Sequence, residues 1–247
     1  MDLRVLGGSG AWPTAGQACS GYLLEHDGFR LLIDPGYAVL PRLLRFADAA
    51  TVDAVLVSHG HPDHCADLNP LLRSRALRDD PAPAIPVFAL PGALDAVLAL
   101  DRPGLLDDAF ELRPFEAGAS FRIGPLAVET RALPHSVPNA GFRVTAGRAS
   151  IVYTGDAAPD PALVELARDA DLLLAEASFV DAVPGEEGPT LSTALDSGRQ
   201  AAAAHVGRLV LTHLLPGTDR GRSLGAARAA YLGPIRVARP GLTLTIG

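Results

Sequence analysis

The chain reads as an α/β protein in which two mixed β-sheets are flanked by helices, and three observations predict this. Short apolar, β-rich runs alternate with helical runs along the whole length. Some strands follow one another through a tight turn, as hairpins, while others are separated by helix-length crossovers. A doubly wound parallel sheet would show only crossovers, so a mixed sheet pair is favoured. The length, 247 residues, suits one sizeable domain or two small ones.

Each element can be justified in order. "LRVLG" is the first strand and runs into a glycine-rich turn, "GGSGAWPTAG". "YLLEH" and "FRLLID" form a hairpin across Asp27-Gly28, residues that tolerate the positive φ angles of a two-residue turn. "VLPRLLRFA" is helical, and "DAVLVSH" is the unbroken apolar run of a buried strand. A helix is expected near residues 66–78. The proline-rich "DDPAPAIP" is a loop rather than an interdomain linker, because strand "VFAL" and helix "GALDAVLAL" resume at once. "LAVETRALPH", "GFRVTA" and "SIVYTGD" read as strands, "PALVELARDA" as a helix and "DLLLAEAS" as a strand. "STALDSGRQAAAAHV" is helical, "RLVLTH" a strand and "SLGAARAAYL" a helix, with short strands closing the chain.

Composition narrows the chemistry. Nearly half the residues are hydrophobic, enough for an ordinary core. The longest apolar runs are strand-length, well short of the roughly 20 residues that span a bilayer. The first residues show no basic stretch followed by an apolar one, so no signal peptide is expected. Cys19 and Cys65 make no disulfide framework, and a cytoplasmic location is expected. Every one of the 21 basic residues is arginine, which excludes Schiff-base catalysis and a Walker-type lysine. A net charge of −7 argues against a grip on long nucleic acid.

The chain has seven histidines, and three stand within "SHGHPDH", as His59, His61 and His64 beside Asp63. Such a cluster points to a metal. His135, Asp156, Glu176 and His213 each end an apolar strand and begin a loop, where a rigid sheet can present a side chain. Five imidazoles with Asp63 and Asp156 are too many donors for one tetrahedral site and suit two metals that share a carboxylate. Imidazole and carboxylate without thiolate suit zinc, with manganese or iron as alternatives.

With these residues in place the sequence resembles the metallo-β-lactamase superfamily, whose HxHxDH signature is matched by His59, His61, Asp63 and His64. The order "TGD", "EAS", "LTH" is similar to the ribonuclease Z and class II cyclic-nucleotide phosphodiesterase branch. The resemblance runs nearly end to end and implies a single domain over 1–247, folded as a four-layer αββα sandwich. It implies that His59, His61 and His135 hold one metal, that Asp63, His64 and His213 hold the other, and that Asp156 bridges them. The implied activity is hydrolysis by a metal-bridging hydroxide, with Asp63 both a ligand and the orienting base. Members of this branch usually carry a further histidine in an "HxTA"-like stretch, which helps the leaving oxygen depart and is backed by the acidic residue of "EAS". Here the stretch reads Leu191-Ser192-Thr193-Ala194, and Glu176 stands without its usual partner, so that either Glu176 reaches the substrate itself as a catalytic residue or the leaving group needs no protonation.

A small phosphodiester, with cyclic nucleotides leading, is therefore the first expected substrate. A carboxylic ester, lactone or thioester from a biosynthetic pathway is the alternative, and a metal-binding protein without turnover is the third reading. The expected partner is a small, anionic molecule, with no membrane and no long nucleic acid, and a homodimer is left open. Ser9, Trp12 and Thr14 could border the pocket, with core packing as the alternative for Trp12. Arg143 is read as meeting an anion or a salt-bridge partner, His205 as a structural helix-end residue and His26 as a surface residue. Glu186 and Glu187 read as a solvated loop that could form a lid.

Overall fold

A computed structural model of the chain describes residues 1–185 and 190–247. The expected loop at Glu186 and Glu187 lies outside the described residues.

The first half contains β1 (Asp2–Ser9), β2 (Ala18–Cys19), β3 (Gly21–His26), β4 (Phe29–Ile33), α1 (Val39–Leu43), β5 (Ala54–Leu56), α2 (Pro62–Cys65), α3 (Leu68–Ala76), β6 (Ile85–Ala89), α4 (Asp95–Leu98) and β7 (Phe110–Pro114). The second half contains β8 (Ser120–Ile123), β9 (Leu126–Ala132), β10 (Ala140–Ala146), β11 (Ala149–Tyr153), α5 (Pro161–Leu166), β12 (Leu172–Glu176), α6 (Ala194–Ala203), β13 (Leu209–Thr212), α7 (Arg220–Arg228), β14 (Ile235–Val237) and β15 (Thr243–Thr245). Among the described residues these strands make a sheet of eight, ordered β15-β1-β3-β4-β5-β6-β7 with β2 beside β1, and a sheet of seven, ordered β14-β13-β12-β11-β10-β9-β8. Both are mixed: β3–β4 and β9–β10 pair antiparallel, while β4–β5–β6 and β11–β12–β13 pair parallel.

Side-chain alternation explains the layering. Leu31 and Ile33 of β4 face the space between the sheets, and Leu32 faces the opposite way, onto Val39, Leu43 and Leu72 of the helices. In β12, Leu172 and Leu174 enter the same intersheet core, while Leu173 and Ala175 pack under Leu163, Leu166 and Ala201. One apolar layer therefore joins sheet to sheet, and one on each outer face joins sheet to helices. The result is the four-layer αββα sandwich.

The structure corrects several local expectations. The helix expected over "VLPRLLRFA" is confined to α1, and that over "GALDAVLAL" to α4. The helix expected near 66–78 is α3, which runs from Leu68 to Ala76, and the short α2 precedes it, with Ala66 and Asp67 between the two. Asp219 caps α7 by accepting from the Gly221 and Arg222 N–H groups, so the helix begins at Arg220 rather than at Ser223. Strands β7 and β8 have no counterpart in the sequence reading. They are the last strands of their sheets, and although "FELR" and "SFRI" alternate apolar with polar residues, each run is too short to stand out along the chain.

Candidate metal centre

The polar strand-end residues converge on one edge of the sandwich. β11, β12 and β13 run parallel, so the loops after them begin on the same side of the sheet. Asp156 and His213 are presented there, and His135 follows β9 across the sheet. From the other sheet, β5 runs into His59, and His61, Asp63 and His64 lie on the loop and short helix α2. The backbone turn at Asp156 is held by Asn139, whose Nδ2 donates to the Thr154 and Asp156 carbonyls at 3.1 and 2.7 Å. Gly155 sits in this turn at φ 58°, and a Cβ there would lie 2.3 Å from Asn139 Oδ1. Glycine is required on both counts.

Two donor sets result. His59, His61, His135 and Asp156 form one, and Asp63, His64, Asp156 and His213 the other, with one ligand atom of each residue within 4.8 Å of the rest of its set. In the first, His61 Nδ1 lies 3.1 Å from both His59 Nε2 and His135 Nε2. In the second, His213 Nε2 lies 3.1 Å from Asp63 Oδ2 and from Asp156 Oδ2, and His64 Nε2 lies 3.2 Å from Asp156 Oδ1. Ligands about 2.0–2.1 Å from a tetrahedral zinc are about 3.3 Å from one another, which these separations match.

Two further observations fit a cation. His64 Nε2 and Asp156 Oδ1 are buried and neither completes a hydrogen bond, although each faces the other. Orphaned buried polar atoms are costly, and a metal between the donors would satisfy both. The electrostatics agree. Burial alone would raise the Asp156 carboxyl, but the neighbouring His213 and His64 hold it well below the usual carboxylate range. Asp63 is likewise pulled down against its burial by the His213 hydrogen bond and the His64 charge. In return these carboxylates raise the His64 and His213 rings against their burial, so the second set holds protons where a cation would take their place. His59 is pushed well below the ordinary histidine range by burial and by His64, and His61 is lowered by burial and by His135, so both present neutral rings suited to ligation.

The far nitrogens of the rings are supported. His135 Nδ1 donates to the Thr190 carbonyl at 2.8 Å, and His59 Nδ1 meets Ser58 Oγ at 3.0 Å. His64 Nδ1 donates to Asp34 Oδ2 at 2.7 Å. Asp34 is completely buried, and its carboxylate also accepts from Ser58 N–H, Ser58 Oγ and Tyr153 Oη. This outer support fixes which nitrogen of each ring faces the centre. The sequence reading missed Asp34, Ser58, Asn139 and Tyr153 as parts of the centre. Asp34 and Ser58 left a signal, since each follows an apolar strand.

Glu176 stands behind the donors rather than beside them. It is 1% exposed, and its oxygens accept from Ser178 Oγ and Ser192 N–H at 2.8 and 3.0 Å and from Ala157 N–H at 2.5 Å. Burial, with the Asp156 charge nearby, pushes its carboxyl up to about 8. Ser178 Oγ also lies 2.9 Å from His213 Nδ1, so Glu176 reaches the donor set through Ser178.

A cavity of about 400 Å³ opens over the donors and is walled by Trp12, Leu191 and Leu215. Ser9 and Thr14 line a neighbouring pocket, which also touches Leu215 but none of the donor residues. Trp12 is 54% exposed, which excludes it from the core. Arg143 donates to the Leu166 and Arg168 carbonyls at the end of α5 and meets no carboxylate among its hydrogen bonds. His205 adopts a left-handed φ of 54° just after α6, as a helix-end residue does. His26 is partly exposed at the hairpin, 3.5 Å from Asp27.

Comparison with known proteins agrees with this geometry. A family model described as a beta-lactamase superfamily domain matches residues 29–214. The Mycobacterium leprae protein ML1173 is 36% identical over 256 aligned positions, which cover 100% of this chain and 89% of the relative. Bacillus subtilis YhfI, named a probable metallo-hydrolase, is 28% identical over 98% of both chains. Its crystal structure superposes with a TM-score of 0.90, covering 100% of this chain and 98% of the other. A ribonuclease Z from Myxococcus xanthus is 30% identical, with 100% of this chain and 98% of the relative covered. No helix among the described residues is long and apolar enough to cross a membrane.

Proposed function

The chain belongs to the beta-lactamase superfamily and is a hydrolase of it, and from this premise we propose that it uses two divalent metals to cleave a small phosphodiester, cyclic nucleotides being the leading candidates. The observation that carries this reading is the pair of adjacent donor sets that share Asp156. Zinc is the expected metal, with manganese or iron as alternatives, and residues 1–247 act as one catalytic domain. Cations held there supply Lewis acidity to the phosphoryl oxygens and lower the pKa of a bound water toward neutrality.

The residues divide the remaining work. His59, His61 and His135 hold one cation and Asp63, His64 and His213 the other, while Asp156 offsets the repulsion between them. Asp63 Oδ2 is engaged by the Ala11 N–H at 2.8 Å and by His213, which leaves Oδ1 to orient the attacking water and take its proton. That proton can pass to the departing oxygen, since among the described residues lining the cavity every titratable side chain belongs to a donor set.

Leu191 lines the cavity, and Glu176 is turned away from it with its hydrogen bonds committed elsewhere. This favours leaving groups that need little help from an acid and sustains a second reading, hydrolysis of a carboxylic ester, lactone or thioester. Long RNA is not the proposed substrate. The alignment with the Myxococcus ribonuclease Z runs over 309 positions against the 247 residues of this chain, so that relative carries segments absent here. The test is a hydrolysis panel on metal-replete enzyme, with bis-p-nitrophenyl phosphate, cyclic AMP, a lactone and a thioester. Turnover confined to the last two compounds would overturn the phosphodiester reading in favour of the second.

A further inference from the structure

We propose that Trp12 determines specificity at this site by offering its indole as a platform on which a planar, uncharged ring of the substrate stacks. The assignment rests on the proposed function only for the anion that anchors the ring. The indole is half-exposed, yet it lies beside the donor sets in the cavity wall, while Tyr22, Phe142 and Tyr153 are buried in the core. A large apolar surface left open next to reacting atoms is available to a ligand.

The platform is held rigidly and is tied to the metal centre. A tight turn is centred on Ala11, which adopts a left-handed φ of 59° while the Trp12 N–H donates to the Gly10 carbonyl at 2.7 Å. Ala11 N–H donates to Asp63 Oδ2, and Ser9 Oγ donates to the Trp12 carbonyl at 2.9 Å. Pro13 narrows the backbone freedom of Trp12 from the other side. Gly10 lets the turn lie flat on His213, since a Cβ there would stand 2.8 Å from the imidazole. An aromatic surface fixed in advance loses little entropy on binding.

Charge points to the same ligand chemistry. Among the described residues lining this cavity the only basic side chains are donor-set histidines. The adjoining cavity of about 660 Å³, which shares His135 and Ser136, adds Glu116 and no arginine. The chain has no lysine, and residues 186–189, Glu-Glu-Gly-Pro, contain no basic side chain. Beyond the reacting group, attraction must therefore come from apolar and aromatic contact, and Trp12 with Leu191 and Leu215 supplies it. A nucleobase or a simple aryl group meets this description, whereas a second phosphate does not.

Trp12 is the single tryptophan of the chain, so its fluorescence reports on this position alone. The metal-replete protein is titrated with adenosine 5′-monophosphate and ribose 5-phosphate, and with phenyl phosphate and methyl phosphate, with excitation at the red edge of indole absorption. Dissociation constants are measured in parallel by calorimetry. Saturable quenching is expected with the ring-bearing member of a pair and not with its ring-free partner, together with tighter binding on the order of tenfold. In Trp12→Ala that preference should fall to near one, and Trp12→Phe should retain most of it. Preference for both ring compounds identifies any aryl group as sufficient, and preference for adenosine 5′-monophosphate alone identifies a nucleobase. Equal quenching by ring-bearing and ring-free phosphates, or an unchanged preference in Trp12→Ala, overturns the proposal. If phosphodiesters are cleaved without ring preference, the platform fails and the proposed function stands. Ring-selective binding by a protein that cleaves no phosphodiester reverses that outcome.

Discussion

Asp34→Asn probes the support beneath the metal centre without touching a ligand. The Asp34 carboxylate accepts from Ser58 N–H on Oδ1, and from Ser58 Oγ, His64 Nδ1 and Tyr153 Oη on Oδ2, at 2.6 to 2.8 Å. An amide keeps the volume and turns one acceptor into a donor. With its nitrogen at the Oδ2 position, the serine and tyrosine hydroxyls can rotate to accept, but the His64 Nδ1–H cannot. The imidazole would have to move its proton to Nε2, the atom that faces Asp156. With the nitrogen at the Oδ1 position, it opposes the Ser58 N–H, which has no alternative role. Either arrangement leaves one buried donor without a partner, at a cost of about 1–3 kcal/mol. At about 2–4 °C per kcal/mol for a protein of this size, the melting temperature should fall by about 2–12 °C. Loss of support for a ligand histidine typically lowers metal affinity about 10–100-fold. The loss should fall mainly on the set that contains His64, because the His59–His61–His135 set meets Asp34 only indirectly, through Ser58. Zinc titration by calorimetry on the folded variant reads both steps. Two unchanged affinities, or equal losses at both, would refute the reasoning.

Three further outcomes are expected. Asp156→Ala should remove or weaken both metals by elemental analysis, whereas His213→Ala should mainly affect one, because Asp156 alone belongs to both sets. Leu191→His should place a proton donor on the cavity wall and raise cleavage of diesters with alkyl leaving groups by about tenfold or more, while aryl diesters change little; a general acid typically contributes about 10²–10⁴-fold. Chelation should lower thermal stability, since a ligand present at 100 times its dissociation constant stabilises by about 2.7 kcal/mol, and calorimetry with and without added zinc should show a shift of about 5–10 °C.

What the sequence by itself determined was local or periodic. His59, His61, Asp63 and His64 were legible as a cluster because they are close along the chain. His135, Asp156 and His213 were legible because each ends an apolar run, and a strand end is where a sheet can present a polar side chain. Layering was legible wherever strands alternate or run apolar through the interior. The rest depends on contacts between segments far apart in sequence, and only the tertiary structure decided it. The edge strands β7 and β8 alternate over too few residues to be read as strands, and it is their pairing with β6 and β9 that fixes them. Asp34 reaches His64 only because β4 and β5 pair in parallel and bring the ends of both strands to one edge. Glu176 ends β12 and Asp156 follows the neighbouring β11, yet the Ala157 and Ser192 N–H groups turn Glu176 inward, while Asp156 faces the donors. Trp12 stands open because Gly10 packs its turn on His213, a residue 203 positions away. Strand direction, pairing and close backbone approach placed these groups, and none of the three is carried by a residue's identity alone.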